Sequence, residues 1–423
     1  MHELDVLFPT DVFPPRCGGA GWSSHALALA LLERGHRVTA VVPQQGRRGA
    51  ERGETLGVPT VRFGYRAPGI PFLKNYFRHE RLWGRLADQI VALAADGGRR
   101  QMVIHAQHVQ VAPAAALAGA RLGAPVVVTV RDHWPWDYFA TGLHGGRVPY
   151  PRQTLALLAT DLPARLGPLR GAAGLIAIPY ILGHLRRRQA ALRRADAVIA
   201  CSRYIAARLA EVVPPERICV IPHLVDADAV ARTVAEPPQS VAPGERFLLF
   251  AGKLEHNKGA HLLLDIFRAL GRLPADGQWS LVIAGDGPLR GRLERGLAQL
   301  GVRARFLDWA DHDETLRLMA RCELLLFPSA WGEPLSRVLL EASACGAPIL
   351  AMPTGGTPDI VEDGVNGALA ATPEAFARRL AQLLEQPEQR RALGEGAKRR
   401  ARQMFAKDVV AGQVEDLYRS LLR

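Results

Sequence analysis

Short apolar runs, each followed by a glycine turn and a helical stretch, recur along this chain in two series. That repeated order constrains the fold more than any other feature. LDVLFP (4–9) leads into the loop PPRCGGAG, a helix pattern from about Trp22 to Arg34 stops at Gly35, and RVTAVVP follows as a second buried strand. Strand, glycine loop, helix, strand is the opening of a parallel α/β domain, with Gly35 placed as a helix stop. MVIHAQ (102–107), APVVVTV (124–130), ADAVIACS (195–202) and ICVIP (218–222) supply further strands. After the proline-bearing stretch AEPPQSVAPGE (235–245) the pattern restarts with FLLFAG (247–252), a helix HLLLDIFRALGRL, WSLVIAGDG (279–287) and a helix PLRGRLERGLAQLG. RFLDW, a helix near 313–321, ELLLFPS, a helix from about Ser336 and APILAM (347–352) complete the series. A chain of 423 residues is too long for one ordinary core. The expected organisation is a first α/β domain over 1–234, a linker at 235–245, a second over 246–404, and a C-terminal helix at 405–423 returning to the first.

Bulk properties narrow the class. Hydrophobic residues make up 48% of the chain, enough to build cores. The five cysteines are scattered and never form a CxxC pair, which argues against a disulfide framework or a cysteine zinc site and for a reducing compartment. MHELDVLFPT carries acids and no apolar core, so no signal peptide is expected, and no uninterrupted apolar run is long enough to span a membrane. Charge is uneven: residues 1–195 hold 25 Lys+Arg against 12 Asp+Glu, or +13, while 196–423 hold 28 against 29, or −1. A basic first half suits an anionic partner such as a membrane surface or an acidic glycan, or it is simply a solvated arginine face.

Residues 133–194 break the regularity. HWPWDYFATGLHGG is aromatic and glycine-rich, and it leads to an apolar run, LIAIPYIL, beside Arg186, Arg187, Arg188, Arg193 and Arg194. Such a basic amphipathic segment can lie in a membrane interface. It can equally be a core helix with a solvated basic face, and Pro179 interrupts the helix pattern.

WGEPLSRVLLEASACGAP (331–348) sets Glu333 and Glu341 eight positions apart around a proline and a helix start. A carboxylate pair suggests a glycosidase, but eight helical residues span about 12 Å, whereas glycosidase carboxylates lie about 5–10 Å apart across one bond. The spacing favours two grips on one extended ligand. Pro334 suits a first helical turn, which puts Glu333 just outside the helix and Glu341 more than a turn inside. The N–H groups near Ser336, Arg337 and Val338 are then unpaired helix-start donors, a natural phosphate site. Ribose, diphosphate and hexose of a nucleotide sugar have this layout. Lys253 and Lys258 of GKLEHNKG (252–259) offer cations for the diphosphate in a chain whose positive charge is otherwise nearly all arginine. AGDGP (284–288) and TGGTPDIV (354–361) add glycine turns at strand ends, where doubly wound sheets bind ligands.

Taken in order, PRCGGAG, TVRDHWP, IPHLVD, GKLEHNKG, AGDGP and EPLSRVLLEASACGAPILA with its E-x7-E pair resemble glycosyltransferase family 4, and they run through most of the chain. The resemblance implies the GT-B fold: α/β, two Rossmann-like domains of mostly parallel sheet facing across a cleft. It also implies retaining transfer of a hexose-type sugar from a UDP- or GDP-linked donor, with no cofactor and no metal. Residue by residue, Glu341 would hold the ribose and Glu333 the donor sugar. Lys253 and Lys258 would neutralise the diphosphate, and Gly19 and Gly21 would admit it closely to the first domain. Gly285, Leu335, Ser336, Arg337 and Val338 complete the implied donor site. His105, His108, Arg131 and Asp132, read as strand-end residues facing the cleft, join Lys258 as catalytic candidates. Trp134, Trp136 and Tyr138 stand where they would stack on an acceptor or pack the insertion. The acceptor is expected to be anionic or lipid-linked, and the enzyme cytoplasmic with peripheral membrane contact. Departures from the family pattern are Lys at 253 for Arg, Ser at 336 for Gly, His223-Leu224 for Asn-Gly, Gln107 for His, and Arg131 for His. DAD (226–228) and DHD (311–313) read as turn acids rather than metal motifs.

Other classes fit less well. GGAGWSS approximates a dinucleotide fingerprint, but Ser24 replaces the third glycine and no acid closes the second strand. A GT-B epimerase would share the donor pocket. A nucleic-acid binder rests on the basic first half alone and would have no use for Glu333 or Glu341.

Overall fold

The computed structural model describes residues 3–423 apart from 16, 48, 97–100, 151, 272–278 and 309. Trp309 of the expected strand RFLDW, and the end of the helix expected to run through 273, lie outside the described residues. The chain forms two compact units, Met1–Leu224 with Val410–Arg423, and Val225–Val409.

In the first unit the strands are β1 (Asp5–Pro9), β2 (Arg37–Gln45), β3 (Ala50–Thr55), β4 (Val58–Tyr65), β5 (Met102–Ala106) and β6 (Val126–Val130). A small hairpin of β7 (Leu143–His144) and β8 (Val148–Pro149) follows, then β9 (Ala197–Ala200) and β10 (Ile218–Val220). The main sheet has the order β10-β9-β6-β5-β1-β2-β4-β3. Every pairing in it is parallel except β3 with β4. A parallel strand covered on both faces reads as a continuous apolar run, and DVLFP and VVVTV bury every residue. β3, AERGET, is the opposite: all but Thr55 are exposed, and its charged side chains protect the sheet edge from further pairing.

The last helix, Lys407–Leu421, belongs to this unit over most of its length. Val410, Ala411, Val414 and Tyr418 join Phe8, Leu27 and Leu31 in one core cluster, and Glu415 accepts from Arg34 at 2.8 Å and Arg419 at 2.6 Å.

The second unit holds β11 (Phe247–Ala251), β12 (Ser280–Ala284), β13 (Ala304–Phe306), β14 (Leu324–Phe327), β15 (Ile349–Ala351) and β16 (Ala368–Leu369). All are parallel, in the order β13-β12-β11-β14-β15-β16. Counted from β11 this is the Rossmann order 3-2-1-4-5-6. The unit begins at Val225, 21 residues before the expected start at 246. Helix Ala227–Thr233 packs on helices His312–Arg321 and Arg337–Cys345, and so belongs with them. Asp226 and Asp311, from the DAD and DHD runs, are N-caps that accept backbone N–H groups.

Each sheet reverses its strand order once, between β1 and β5 in the first unit and between β11 and β14 in the second. Ligands in such sheets bind beyond the carboxyl ends of the strands at this reversal.

The 133–194 insertion departs from expectation in two ways. Pro179 opens the helix Ile178–Arg194 rather than interrupting one, as its fixed φ favours. Arg188 does not lie on a solvated face but is fully buried. Ile178, Ile181 and Leu185 pack with Tyr138, Leu158 and Leu162, whereas Leu169 and Ile176 are 87% and 89% exposed.

Candidate functional site

At the reversal of the second sheet, the loop after β11 carries Lys258 and the segment after β14 carries Glu333. Lys258 Nζ lies 2.7 and 3.0 Å from the two Glu333 carboxylate oxygens, and Trp331 Nε1 donates to the same carboxylate at 2.6 Å. Glu333 is buried while the Lys258 side chain keeps 27% exposure, so the ammonium reaches solvent and the carboxylate does not. The backbone under Glu333 is fixed by the TGG turn. Gly356 N donates to Glu333 O at 2.7 Å, and Gly355, at φ +56°, packs so closely that a Cβ there would fall 2.2 Å from Glu333 O.

Helix Arg337–Cys345 starts three residues past Pro334, so that proline lies outside the first turn, contrary to expectation. Ser336 is the N-cap at φ −79°, and its hydroxyl accepts from Leu339 N at 3.3 Å. A serine therefore suits the position that the family pattern gives to glycine: no positive φ is needed, and the hydroxyl caps the helix. Leu335 and Ser336 are buried, Arg337 and Val338 partly exposed. Glu341, buried on this helix, accepts from Arg337 at 2.8 Å. Lys253 is exposed and its ammonium has no partner among the described residues. Gly285 meets protein rather than offering open space, since a Cβ there would lie 2.0 Å from Gly252 O. This glycine lets the loops after β11 and β12 touch.

At the reversal of the first sheet stands a second charged group. His108, after β5, lies between two carboxylates: Nδ1 is 2.7 Å from Asp11 Oδ1, after β1, and Nε2 is 2.9 Å from Asp132 Oδ2, after β6. Burial disfavours its charge, but Asp11 and then Asp132 outweigh that and raise its pKa to about 10. Burial likewise opposes ionisation of Asp11, yet His108, His79 and Arg78 hold it well below the usual carboxylate range. At neutral pH His108 is an imidazolium that can donate but cannot accept a proton, which removes it as a general base. Asp132 also accepts from Trp134 N at 2.9 Å.

Three of the first-unit candidates, His105, Gly19 and Gly21, sit differently from expectation, and Trp136 and Tyr138 take the packing alternative. His105 has no exposed surface; its ring nitrogens are bonded to Tyr418 Oη at 2.5 Å and Thr129 Oγ1 at 2.6 Å. Burial, helped by Arg131, pushes its pKa well below the ordinary value. It ties the last helix to the sheet. Trp136 and Tyr138 are buried, the first under Arg208 and the second hydrogen-bonded to Asn75, so they pack the insertion. Gly19 and Gly21 lie in the first turn of helix Gly19–Glu33, not in a loop.

Arg131 and Gln107, both departures from the family pattern, are partners: the guanidinium bonds Gln107 O and, at 2.7 Å, Gln107 Oε1. Trp134, unlike Trp136 and Tyr138, is partly exposed, lying edge-on to His108 at 6.1 Å with Arg188 over its ring at 5.0 Å. Sequence reasoning missed Asp11, Trp331 and Arg188. A strand-end acid such as Asp11 looks like any turn acid, and nothing in the run HLRRRQ distinguishes the one arginine that turns inward.

Comparison with known proteins agrees with the two-unit division. Residues 17–229 match the family model described as Glycosyltransferase Family 4, and residues 233–400 match Glycosyl transferases group 1. The chain is 30% identical to spore coat protein SA of Bacillus subtilis over 185 residues, which is 41% of this chain and 49% of that protein. It is 25% identical to N-acetyl-alpha-D-glucosaminyl L-malate synthase of Bacillus anthracis over 238 residues, 55% of this chain and 61% of the other. It spans about half the length of the curated relatives it matches. Among solved structures, HepE of Anabaena in complex with UDP superposes with a TM-score of 0.67 at 20% identity, covering 98% of this chain and all of that one. Sucrose-phosphate synthase of Thermosynechococcus elongatus gives 0.66 at 21%, covering 99% of each. At such identities the likeness is one of fold, and the fold is GT-B.

Proposed function

This chain belongs to the family 4, group 1 glycosyltransferases, and on that premise we propose that it transfers a hexose-type sugar, with retention and without a metal, from a UDP- or GDP-linked donor. The observation that carries the reading is the Lys258–Glu333 pair beside the capped start of helix Arg337–Cys345, at the strand reversal of the second sheet. Lys258 is part-exposed, so it can exchange Glu333 for a diphosphate, while Trp331 Nε1 continues to orient the carboxylate toward sugar hydroxyls. Glu341, one turn inside the helix, takes the ribose, and the N–H groups of Arg337 and Val338 face the phosphates. Lys253 adds a second cation. Departure of the nucleoside diphosphate then proceeds against fixed positive charge, and this stabilisation carries much of the catalysis. The structures of HepE with UDP and with UDP-glucose are consistent with such a donor for this fold.

Calorimetry against UDP, GDP and ADP without added metal tests the donor site. One nucleotide is expected to bind selectively, and Glu341→Ala to weaken it about 10–100-fold, the worth of a hydrogen bond to a charged group. Binding of none of the three would overturn the reading.

In this reading the acceptor binds the first unit, near His108 and the partly exposed Trp134. A cytoplasmic location with peripheral membrane contact is part of the proposal. No described helix is long and apolar enough to cross a membrane, but Leu169 and Ile176 project from short helices with exposed Arg170 between them, a pattern suited to an anionic interface. Co-sedimentation with phosphatidylglycerol vesicles is expected and should fall in Leu169→Ser/Ile176→Ser. Equal recovery in the supernatant with and without vesicles would exclude it.

A further inference from the structure

Beyond the two strand reversals, the first unit contains a cavity of about 430 Å³ lined by Arg47, Arg66, Arg81 and Arg85 together with Tyr65, Phe77 and Leu82, and by no acidic residue. The arginines come from separate segments: the loop after β2, the end of β4, and helix Glu80–Asp96. Convergence of this kind is not what a uniformly solvated basic helix face produces. Arg47 pairs with Glu51. Arg81 lies over Phe77 at 4.8 Å, Arg85 donates to Gly64 O at 3.1 Å, and Arg66, Arg81 and Arg85 have no carboxylate partner among the described residues. The three guanidinium groups without a carboxylate partner repel one another across the concavity and hold a positive potential that an anion relieves.

The cavity does not stand alone. Arg47 also lines a neighbouring one of about 730 Å³ whose wall includes Arg62 and Arg78 together with the acids Asp11 and Glu54, and Asp11 is the carboxylate that holds His108. Both volumes fall in the range of small-molecule sites, about 300–1,000 Å³. Burial and then Arg47 push the Arg62 guanidinium pKa down, so the positive crowding extends into the second cavity.

We propose that these neighbouring cavities, which share Arg47, seat an acidic saccharide, one bearing carboxylates or phosphates, with its anionic groups on Arg47, Arg66, Arg81 and Arg85 and its chain leading past Arg78 toward Asp11 and His108. Planar guanidinium forks match both carboxylate and phosphate oxygens bidentately. Tyr65, Phe77 and Leu82 give apolar walls on which the C–H face of a sugar ring can lie. Concavity distinguishes the site from a membrane-docking face, and the apolar side chains exposed to nearly nine-tenths, Leu169 and Ile176, are not among its lining residues. Calling the ligand an acceptor rests on the glycosyltransferase reading; the binding itself does not.

The test is titration calorimetry at low salt with tetragalacturonate, glucose 6-phosphate and neutral maltotetraose, each also run after UDP. Wild type is expected to bind at least one charged probe and not maltotetraose, with affinity falling as salt rises. Arg81→Glu/Arg85→Glu, both at exposed positions, should weaken the charged probe at least tenfold while leaving UDP binding intact. Arg391→Glu/Arg399→Glu on the second unit should bind as wild type does. Binding of neither charged probe, or equal binding by the Arg81/Arg85 variant, overturns the proposal. So does attachment to phosphatidylglycerol vesicles that is lost in that variant while no soluble probe binds, because the arginines would then serve a lipid surface. Failure to bind any nucleotide, with tetragalacturonate still bound, would instead sink the donor reading and leave this site standing.

Discussion

Lys258→Met is expected to lower kcat/KM by about 10²–10³-fold, or about 2.7–4 kcal/mol, the scale for removing one fixed stabiliser of developing negative charge. The loss should fall mainly on kcat, because charge on the leaving diphosphate is greater in the transition state than in the bound donor. Lys258 touches Glu333 through both carboxylate oxygens, so the substitution also leaves a buried carboxylate held by Trp331 Nε1. Glu333→Gln alone and the double variant separate these effects. If Lys258 acts only by holding Glu333, the double variant will be no worse than Glu333→Gln. If it acts on the diphosphate, the double variant will lose a further large factor. Lys258→Arg should rescue only part, since the fork and the ammonium differ in reach and shape. A Lys258→Met enzyme with kcat within threefold of wild type would remove Lys258 from the chemistry.

Much of this arrangement was legible in the sequence, for identifiable reasons. Fully buried parallel strands announce themselves as apolar runs, and FLLFA, SLVIA and VVVTV needed no tertiary information. The lysine loop was visible because lysine is uncommon in this chain, and the E-x7-E run because its spacing brackets a proline and a helix start. The last two strands of the first sheet were not visible: edge strand β3 exposes its charges, and β4 beside it breaks its apolar residues with Pro59, Arg62 and Gly64 in VPTVRFGY, so neither reads as a continuous apolar run, and both were missed.

Buried polar groups were the second blind spot. His105, His108 and Arg188 look alike on a page as polar residues beside apolar runs, and only packing decides their roles. One is bonded through both ring nitrogens, one is charged between two acids, and one is buried over an indole with no hydrogen-bond partner for its guanidinium. Pairing across elements was the third. Gln107 and Arg131 each looked like a separate departure until the structure showed them bonded to each other.

The His108 triad gives the second large expectation. His108→Ala leaves Asp11 and Asp132 facing each other without the cation between them, and Asp11 is almost wholly shielded. Removing one partner from a buried charged group costs about 3–5 kcal/mol, which should be read as a lower urea midpoint for the first unit. The pH dependence fixes the sign. The folded pKa, about 10, lies above the unfolded value of about 6.5. The stabilisation by the ring is therefore fully present below about pH 6.5 and is lost as pH rises through 10, by up to about 1.4 kcal/mol per unit. Asp11 works in the other direction: its depressed pKa contributes stability that is present above the ordinary carboxylate value and lost on acidification. The stability gap between wild type and His108→Ala should thus be widest near pH 5–6.5 and narrow steadily from pH 7 to 10. A gap that stays constant across that range would mean the ring is already neutral at pH 7. It would then regain the ability to accept a proton, and with it a place among the candidate bases from which its two carboxylate partners now exclude it.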